Sequence, residues 1–239
     1  MADTLHNPMA KTILPDATLP FAQTVRARGS FRHFLPTPLP VSAIQDVLAE
    51  AQLAPSNCNT QPWDIHVVSG AKLTELSVAL HEVNDAGRLS PDFSWDESAF
   101  EGRLDERRKE HGKLYYESLG VARADKAGRR EASNRNLSFY GAPHVALLFM
   151  PAIGDSVRVA GDLGMYGQTF LLALAARGLG GIPQTVLGLF ANTIRETLGI
   201  PEDRKILFGI SFGHPDETAP GNQTRVGRDP VSASVTFHA

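Results

Sequence analysis

The sequence predicts one domain that combines helices with strands, in the α/β or α+β class. Its 239 residues are enough to bury one sizeable core, although two smaller domains are an alternative that the length allows. Segments with apolar residues at helical spacing alternate along the chain with short apolar or alternating segments typical of strands. No internal repeat and no linker composition divides the sequence, which favours the single domain.

Composition and charge exclude several classes of partner. The 23 lysines and arginines stand against 26 acidic residues, and the net charge of −3 argues against nucleic acid as the main partner. The single cysteine, Cys58, rules out an intrachain disulfide and a cysteine-rich metal site, and the histidines show no metal-ligand spacing. The apolar runs Val145–Met150 and Phe170–Ala176 are too short to cross a bilayer, and the first twenty residues lack a secretory signal. These features predict a soluble cytoplasmic protein without a metal.

The N-terminal part is predicted to begin with an arm and two helices. Residues 1–20 carry three prolines and little periodicity, which indicates a flexible arm. A short helix is expected over Phe21–Arg28, ending at Gly29. A second helix starts from a capping box of Ser42 and Gln45. Its predicted buried face consists of Val41, Ile44, Val47, Leu48 and Ala51.

The middle of the chain changes from regular to highly charged. After Pro55 and a polar loop, Asp64–Ser69 alternates as a strand, and a helix is expected over Ala71–Leu80. Residues 81–140 are densely charged, yet aromatic residues are spread through them. A purely solvated segment would have few aromatics, so these residues predict helices with a functional role.

The C-terminal part predicts two buried strands around helices. Val145–Phe149 and Lys205–Phe212 are apolar strands. The intervening and final elements are a helix over about Asp155–Arg177 ending at Gly178, a loop or short strand at Gly180–Gln184, a helix marked by Leu187, Phe190, Ile194 and Leu198, and an edge strand at Val231–Phe237.

Three polar clusters are candidate binding sites. Arg28, Ser30 and Arg32 alternate, so an extended segment presents two guanidinium groups and a hydroxyl on one side, as an anion site requires. The loop of residues 55–63 offers many amide and hydroxyl groups between two prolines and could bind the edge of a heteroaromatic ring. The third cluster, in the tail, is Asn222, Arg225 and Arg228. Taken singly, these clusters could also be a solvated basic turn, an ordinary capped loop and a disordered tail.

The order of these segments resembles the nitroreductase family of flavoproteins. Residues 28–34 (RGSFRHF) are similar to that family's opening R-x-S-x-R-x-F signature, and residues 54–63 (APSNCNTQPW) to its A-P-S-x-x-N-x-Q-P-W loop. Residues 178–184 (GLGGIPQ), residues 199–202 (GIPE) and the strand ending in residues 213–215 (GHP) resemble its C-terminal half. The similarity covers nearly the whole chain beyond residue 20.

The resemblance implies an α+β fold, with a mixed sheet flanked by helices, and an intertwined homodimer with two FMN sites at the subunit interface. It divides the chain into the N-terminal arm of residues 1–20, an FMN-binding domain of residues 21–214, and a C-terminal arm of residues 215–239 that completes the FMN site and the dimer interface. Residues 81–140 would form a helical excursion over the flavin.

Carried over position by position, the resemblance also implies the FMN ligands. Arg28 and Ser30 would meet the phosphate and the ribityl chain, and Arg32 would lie by the pyrimidine side of the ring, where a cation tunes the redox potential. The remaining implied FMN residues are Gly29, Pro55, Ser56, Asn57, Asn59, Pro183, Gln184, Arg225 and Arg228, of which Ser56, Asn57 and Asn59 would come from the partner subunit. The family commonly has an arginine where this chain has Gly29, so FMN binding should depend more on Arg28 and the tail.

The middle segment, residues 81–140, resembles more loosely a subgroup of longer family members that act on aromatic nitro compounds. Residues 107–108, 123, 125, 136 and 139–143 carry part of it. It makes four aromatic residues candidates for stacking on a small aromatic substrate, each of which could instead be packing: Trp95, Phe100, Tyr115 and Phe139.

The resemblance therefore implies an FMN-dependent NAD(P)H oxidoreductase that reduces nitroaromatic compounds by ping-pong, two-electron hydride transfer. Such chemistry needs no catalytic side chain, because the flavin N5 carries it, and the sequence shows no catalytic triad. The alternatives are a reductase of quinones, enones or halogenated phenols, a flavin-binding or sensory protein without turnover, and a structural homologue without cofactor. The sequence does not decide between NADH and NADPH.

Overall fold

The fold is a small sheet with helices on both faces, seen in a computed structural model that describes residues 19–238. The strands are β1 (Asp64–Ser69), β2 (His144–Pro151), β3 (Gly180–Gln184) and β4 (Arg204–Gly213). The helices are α1 (Phe21–Ala27), α2 (Val41–Ala51), α3 (Gly70–Asp85), α4 (Gly102–Ser118), α5 (Lys126–Asn134), α6 (Val157–Ala176), α7 (Ala191–Leu198) and α8 (Pro220–Gln223). Short 3-10 turns cover Asn57–Asn59, Glu97–Ala99, Phe139–Gly141, Thr185–Leu189 and Val231–Ala233.

The sheet has the order β1-β2-β4-β3, and each pair of neighbouring strands is antiparallel. A parallel contact occurs where the segment after α1 meets the sheet, as a bridge between Ser30 and Gly181 of β3. The α+β class predicted from the sequence is confirmed.

The central strand β2 divides the core into two apolar layers. Its side chains alternate, so that Val145, Leu147 and Phe149 face one layer while Ala146, Leu148 and Met150 face the other. The first layer is completed by α3 and α7, and the second by α2 and α6. Because β2 is covered on both faces, its sequence is a continuous apolar run rather than an alternating one.

Most predicted elements are present, but the start of α2 differs from the prediction. The helix begins at Val41 after Pro40, which makes no side-chain capping bond, so the predicted capping box of Ser42 and Gln45 is wrong. Proline already fixes the backbone angle at this boundary, and Ser42 lies inside the first turn. Val41 is 70% exposed and is therefore not part of the buried face.

The predicted edge strand at Val231–Phe237 is also wrong. Residues 231–233 form a 3-10 turn and residues 234–238 have no strand structure. Val231, Val235 and Phe237 are exposed, so their alternation has no apolar surface to pack on within the described chain. Most of the predicted N-terminal arm lies outside the described residues. Among the helices of residues 19–238, none combines the length and apolarity needed to span a membrane.

Candidate functional site

The segment that follows α1 lies extended against the open edge of β3. The Phe31 amide donates to the Gly181 carbonyl at 3.3 Å, next to the Ser30–Gly181 bridge. The Phe31 ring packs over Gly180, where an added Cβ would come within 2.8 Å of it, so any side chain at this position would displace the ring. Arg28, Ser30 and Arg32 all line one cleft, as the alternation of an extended segment predicts.

Asn222, in α8, joins this segment to the C-terminal tail. Its Oδ1 accepts the Arg32 amide at 2.7 Å, and its Nδ2 donates to the carbonyl oxygens of His33 and Asp216, each at 2.8 Å. The Asn222 side chain is buried, and all three bonds hold backbone groups. The tail is thereby held next to Arg32, and Arg225 follows Asn222 by less than one helical turn.

The two segments enclose a cleft of about 840 Å³, here called the arginine cleft. Six residues that the sequence predicts as FMN ligands line it, although they lie at opposite ends of the chain: Arg28, Gly29, Ser30, Arg32, Arg225 and Arg228. The opposite wall is α4, which Asp229 of the tail contacts through ion pairs with Arg103 and Arg107.

Positive charge dominates the arginine cleft. Arg228 Nη1 donates to the carbonyls of Val226 and Gly227 at 3.0 and 2.9 Å, and Arg225 Nη1 donates to that of Asn222. Within residues 19–238, none of Arg28, Arg225 and Arg228 forms an ion pair with a carboxylate. Partial burial, and then the nearby Arg228, lower the pKa of Arg28. Guanidinium groups gathered in this way, with only carbonyls as partners, form a site for an anion.

A second cleft, of about 1000 Å³, adjoins the first and lies between α4 and α5; it is called the α4–α5 cleft. Arg32 lines both clefts. Its guanidinium carbon lies 4.7 Å from the centroid of the Tyr115 ring, and its Nη2 donates to His111 Nε2 at 3.2 Å. Arg32 is therefore held at the junction by backbone, aromatic and imidazole contacts together.

The titratable groups around Arg32 are shifted toward their neutral forms. Burial raises the pKa of Tyr140 to about 12 and also raises the pKa of Tyr115. Burial, and then the positive charges of Arg32 and Arg228, lower the pKa of His111. The Tyr115 hydroxyl has no hydrogen-bond partner in the described chain, although the residue is only 8% exposed. Around neutral pH, Arg32 is the one cation among these four groups.

Gln184 supports the floor of the α4–α5 cleft. It is 3% exposed, its Nε2 donates to the Asn136 carbonyl at 2.9 Å, and its Oε1 accepts the Ser211 hydroxyl. Asn136 in turn lines the cleft. Pro183, the preceding residue of β3, is exposed.

The predicted FMN residues of the polar loop lie apart from both clefts within one chain. Pro55, Ser56, Asn57 and Asn59 line neither cleft. The Asn57 amide donates to Asp162 of α6 at 3.0 Å, and Ser56 Oγ accepts the Gln61 amide at 2.9 Å, which fixes the loop conformation. The side chains of Asn57 and Asn59 remain exposed.

The four predicted substrate-stacking residues occupy three different environments. Tyr115 lines the α4–α5 cleft. Trp95 and Phe100 are exposed and line neither cleft. Phe139 is 2% exposed and packs in the first core layer, so the structure favours core packing over stacking on a substrate for this residue.

Among the residues of the α4–α5 cleft that sequence reasoning missed are His111, Tyr116 and Arg129. One available signal was the spacing on α4, because His111 and Tyr115 are four residues apart and share one face of a helix. No comparable signal in the sequence pairs Arg129 of α5 with Tyr116 of α4.

Comparison with known proteins gives consistent results. A family profile described as the Nitroreductase family matches residues 25–214. The chain is 42% identical over 213 residues to nitroreductase NfnB of Mycolicibacterium smegmatis, covering 89% of this chain and 90% of that protein. It is 35% identical to a 4-nitrobenzoate reductase of Pseudomonas putida, covering 91% of this chain and 95% of that protein.

Solved structures agree with the sequence comparison. The FMN-dependent nitroreductase NfnB of Mycobacterium smegmatis, solved in complex with NADPH, superposes with a TM-score of 0.87 at 41% identity, covering 91% of this chain and 97% of that one. The FMN- and NADPH-dependent nitroreductase NfnB of Sphigopyxis sp. strain HMH gives a TM-score of 0.89 at 30% identity, covering 92% of this chain and 100% of that one.

Proposed function

The chain belongs to the nitroreductase family, and we propose that it is an FMN-dependent NADPH oxidoreductase that reduces aromatic nitro compounds. The observation that carries the proposal is the arginine cleft. Arg28, Ser30 and Arg32 of the first segment meet Arg225 and Arg228 of the tail there. Of the two carboxylates that line this cleft, Glu110 and Asp229, the second pairs with Arg103 and Arg107, and neither forms an ion pair with these four arginines in the described chain. The similar protein named for 4-nitrobenzoate reduction, and the two solved structures named as FMN-dependent, one of them in complex with NADPH, support the substrate and cofactor classes.

The residues present in the arginine cleft fit the phosphate end of FMN. Partial burial, and then the positive charge of the nearby Arg228, lower the pKa of Arg28, and a phosphate dianion would offset that repulsion. We assign Arg28, Arg225 and Arg228 to the phosphate and Ser30 to the ribityl chain. Gly29 contributes backbone without a side chain, so the phosphate depends on the three arginines.

When bound, FMN supplies a reversible two-electron carrier between NADPH and the nitro group. We assign Arg32 to the pyrimidine side of the ring, with Pro183 and Gln184 against the ring. Arg32 carries a permanent charge and is fixed by Asn222 and Tyr115, so it stabilises negative charge on that side without reorganising. Neutral Tyr115 and Tyr140 keep the neighbouring wall apolar enough to exclude water from a stacked nitroarene.

A homodimer would complete this site. The polar side chains of Asn57 and Asn59 are exposed and take no part in the clefts of their own chain. Val157 and Met165 of α6, the helix against which this loop packs, are also exposed, as an interface requires. We therefore propose that Ser56, Asn57 and Asn59 approach the flavin of the partner subunit. The cytoplasmic location and the substrate roles of Trp95 and Phe100 remain predictions.

Anaerobic titration of the purified protein tests the function. The protein should show a flavin absorption spectrum that NADPH bleaches stoichiometrically, and nitrobenzene or 4-nitrobenzoate should then restore it. A flavin spectrum that NADPH does not bleach would refute the proposal. Restoration by quinones but by neither nitroarene would refute the substrate class alone.

A further inference from the structure

The α4–α5 cleft carries more positive charge than the proposed flavin chemistry uses. Three carboxylates line it, namely Glu97, Glu110 and Glu117. Six arginine and lysine side chains line it as well: Arg32, Arg108, Lys109, Lys113, Arg123 and Arg129. An excess of this kind in a cleft next to a cofactor site attracts a substrate that is itself anionic.

Three of these six cations are already paired with nearby carboxylates. Arg108 pairs with Asp105 at 2.8 Å and with Glu97 at 2.9 Å, and Lys109 pairs with Asp105 at 2.5 Å. Lys113 lies 3.8 Å from Glu117. Within the part of the chain that the structure describes, Arg123 and Arg129 form no ion pair. Arg32 is assigned to the flavin, so Arg123 and Arg129 are the guanidinium groups left for another ligand.

Arg129 is held in a defined position by an aromatic ring. Its guanidinium carbon lies 3.9 Å from the centroid of the Tyr116 ring. The ring uses one face of the guanidinium plane and leaves its in-plane N–H groups available to an anion. The start of α5 is fixed because the Asp125 side chain accepts the Gly128 amide at 2.9 Å.

A chain of contacts connects this position with the flavin site. It runs from Arg32 over Tyr115, through the Tyr115 and Tyr116 rings with centroids 5.6 Å apart, to Arg129. A ligand that lies along the cleft can therefore place an aromatic group near Arg32 and an anionic group near Arg129.

We propose that Arg123 and Arg129, with Tyr116, form the site that binds the 2′-phosphate of NADPH and so selects NADPH over NADH. This inference rests on the proposed function, since it requires a nicotinamide nucleotide to enter the α4–α5 cleft. A terminal phosphate matches the donor pattern of a fixed guanidinium, and the second guanidinium adds charge. NADPH and NADH share the same pyrophosphate, so binding of the pyrophosphate could not discriminate between them.

The test compares ligands that differ in the 2′-phosphate alone. Arg129→Gln and Arg123→Gln are made in the FMN-loaded enzyme, and Arg130→Gln is the matched control. Arg130 is next to Arg129 but points to Asp85, 3.0 Å away, with both side chains largely exposed, so the control removes the same charge from another face. Calorimetry measures binding of 2′,5′-ADP and of 5′-AMP, and rapid mixing measures anaerobic flavin reduction by NADPH and by NADH.

Arg129→Gln should weaken 2′,5′-ADP binding and raise the half-saturating NADPH concentration about tenfold or more, because a charge-assisted bond is lost. Binding of 5′-AMP and reduction by NADH should stay within about twofold, and Arg123→Gln should act in the same direction. Arg130→Gln should behave as the unmodified enzyme. Arg123 is exposed, so its variant keeps the test decisive even if Arg129→Gln does not fold.

Three outcomes would overturn the inference. One is an equal loss for NADPH and NADH, which would assign the arginines to the pyrophosphate. Another is that flavin reduction by both nucleotides is unchanged while activity falls with 4-nitrobenzoate but not with nitrobenzene. That result would assign the arginines to the carboxylate of a substrate. The third is no change in any ligand. Failure of the proposed function would give a different result from failure of this inference. In that case neither NADPH nor NADH would reduce the flavin of the unmodified enzyme.

Discussion

Arg28 shows how a residue that looks ordinary in the sequence becomes specific in the fold. The end of α1 and the edge of β3 fix its backbone. Partial burial, and then the positive charge of Arg228 that the tail brings near, lower its pKa. Such repulsion destabilises the ligand-free protein slightly. It becomes useful when a dianion binds between the guanidinium groups.

Replacement of Arg28 by glutamine should therefore weaken FMN binding by about tenfold to about 150-fold, the range that the loss of one charge-assisted hydrogen bond produces. Titration of the apoprotein, followed by quenching of flavin fluorescence, measures the affinity. Arg26→Gln is the control, because Arg26 is exposed and donates to Ala22 of its own helix at 3.2 Å. Riboflavin lacks the phosphate, so an equal loss of riboflavin affinity in Arg28→Gln would contradict the assignment.

At the residue scale, the alternation of Arg28, Ser30 and Arg32 was predictable because it depends only on the period of an extended chain. The role of Asn222 was not predictable from a local pattern. Its bonds to Arg32 and His33 span 190 and 189 residues. No pattern in the sequence indicates that these distant segments come into contact. Asn222 was recognised as part of a tail cluster, but its function is to hold backbone rather than ligand.

At the scale of elements, a buried ion pair attaches the charged middle segment to the core. Asp92 precedes α4, and Arg195 lies on α7; their side chains are 5% and 7% exposed and 2.6 Å apart. Asp92 also accepts the Ile206 amide of β4 at 2.9 Å. This carboxylate thus connects the start of the segment with a helix and with the central sheet.

Removal of Asp92 should be strongly destabilising, because Arg195 would remain buried without its partner. We expect Asp92→Ala to lower the free energy of unfolding by about 3–5 kcal/mol in urea titrations. The comparison is Asp85→Ala, whose pair with Arg130 is largely exposed and should be worth less than about 1 kcal/mol. Similar small losses in both variants would show that the segment is held by other contacts.

His144 couples β2 to the segment before α2 in a way that depends on pH. Its Nε2 accepts the Leu39 amide at 2.8 Å, and its Nδ1 lies 2.5 Å from the Ser69 hydroxyl. Protonated Nε2 could not accept that bond, and burial lowers the pKa of His144 below its usual 6.5. The unfolded chain therefore takes up this proton first as the pH falls, and the stability present above about pH 6.5 is lost below it.

The free energy of unfolding should fall more steeply between pH 8 and pH 5 in the unmodified protein than in His144→Gln. Denaturant titrations at several pH values measure both slopes. His33 and His111 also have lowered pKa values and contribute in the same direction, so the difference between variant and parent is the informative quantity. His238→Gln, in the exposed tail, is the control. Parallel curves for His144→Gln and the parent would contradict the role of His144.

The elements that the sequence predicts well are those whose pattern depends on local burial. β1 has the predicted bounds, and α6 ends at Ala176, just before Gly178 in the left-handed region with φ of +69°. The helix predicted from Leu187, Phe190, Ile194 and Leu198 begins only at Ala191, because residues 185–189 form a 3-10 turn. Two further errors, the capping box of α2 and the strand at residues 231–237, depend on context instead. A helix start can be set by the preceding proline, and an alternating segment becomes a strand only where a sheet edge receives it.

At the scale of the whole molecule, the candidate site is formed by connections rather than by one motif. The first segment, the tail, α4 and α5 each contribute one wall, while the sheet and its two apolar layers carry them. The sequence identified most of the arginine cleft because a family motif passes through it. It identified less of the α4–α5 cleft. There the contact between the Arg129 guanidinium and the Tyr116 ring joins α5 to α4, and no sequence motif connects these two helices.

The proposed homodimer predicts that two inactive variants restore each other. Assayed without added FMN, so that its weaker binding leaves the cleft unloaded, Arg28→Gln would disable the arginine cleft. The pair Asn57→Ala with Asn59→Ala would disable the loop offered to the partner. In a mixed dimer, one site would combine both defects, while the other would have an intact Arg28 from one chain and an intact loop from the other. After complete subunit exchange, about half of the dimers are mixed and half of their sites are intact, so activity should return to about a quarter of the parent value.

If the loop instead serves the cleft of its own chain, every site in the mixture contains one defect and no activity returns. The readout is nitrobenzene-dependent NADPH oxidation before and after exchange, at a fixed total protein concentration. Co-expression of the two variants with different affinity tags isolates the mixed dimer, whose specific activity should approach half that of the parent. Activity no higher than the mean of the two variants alone would contradict the shared site, even if the protein is dimeric.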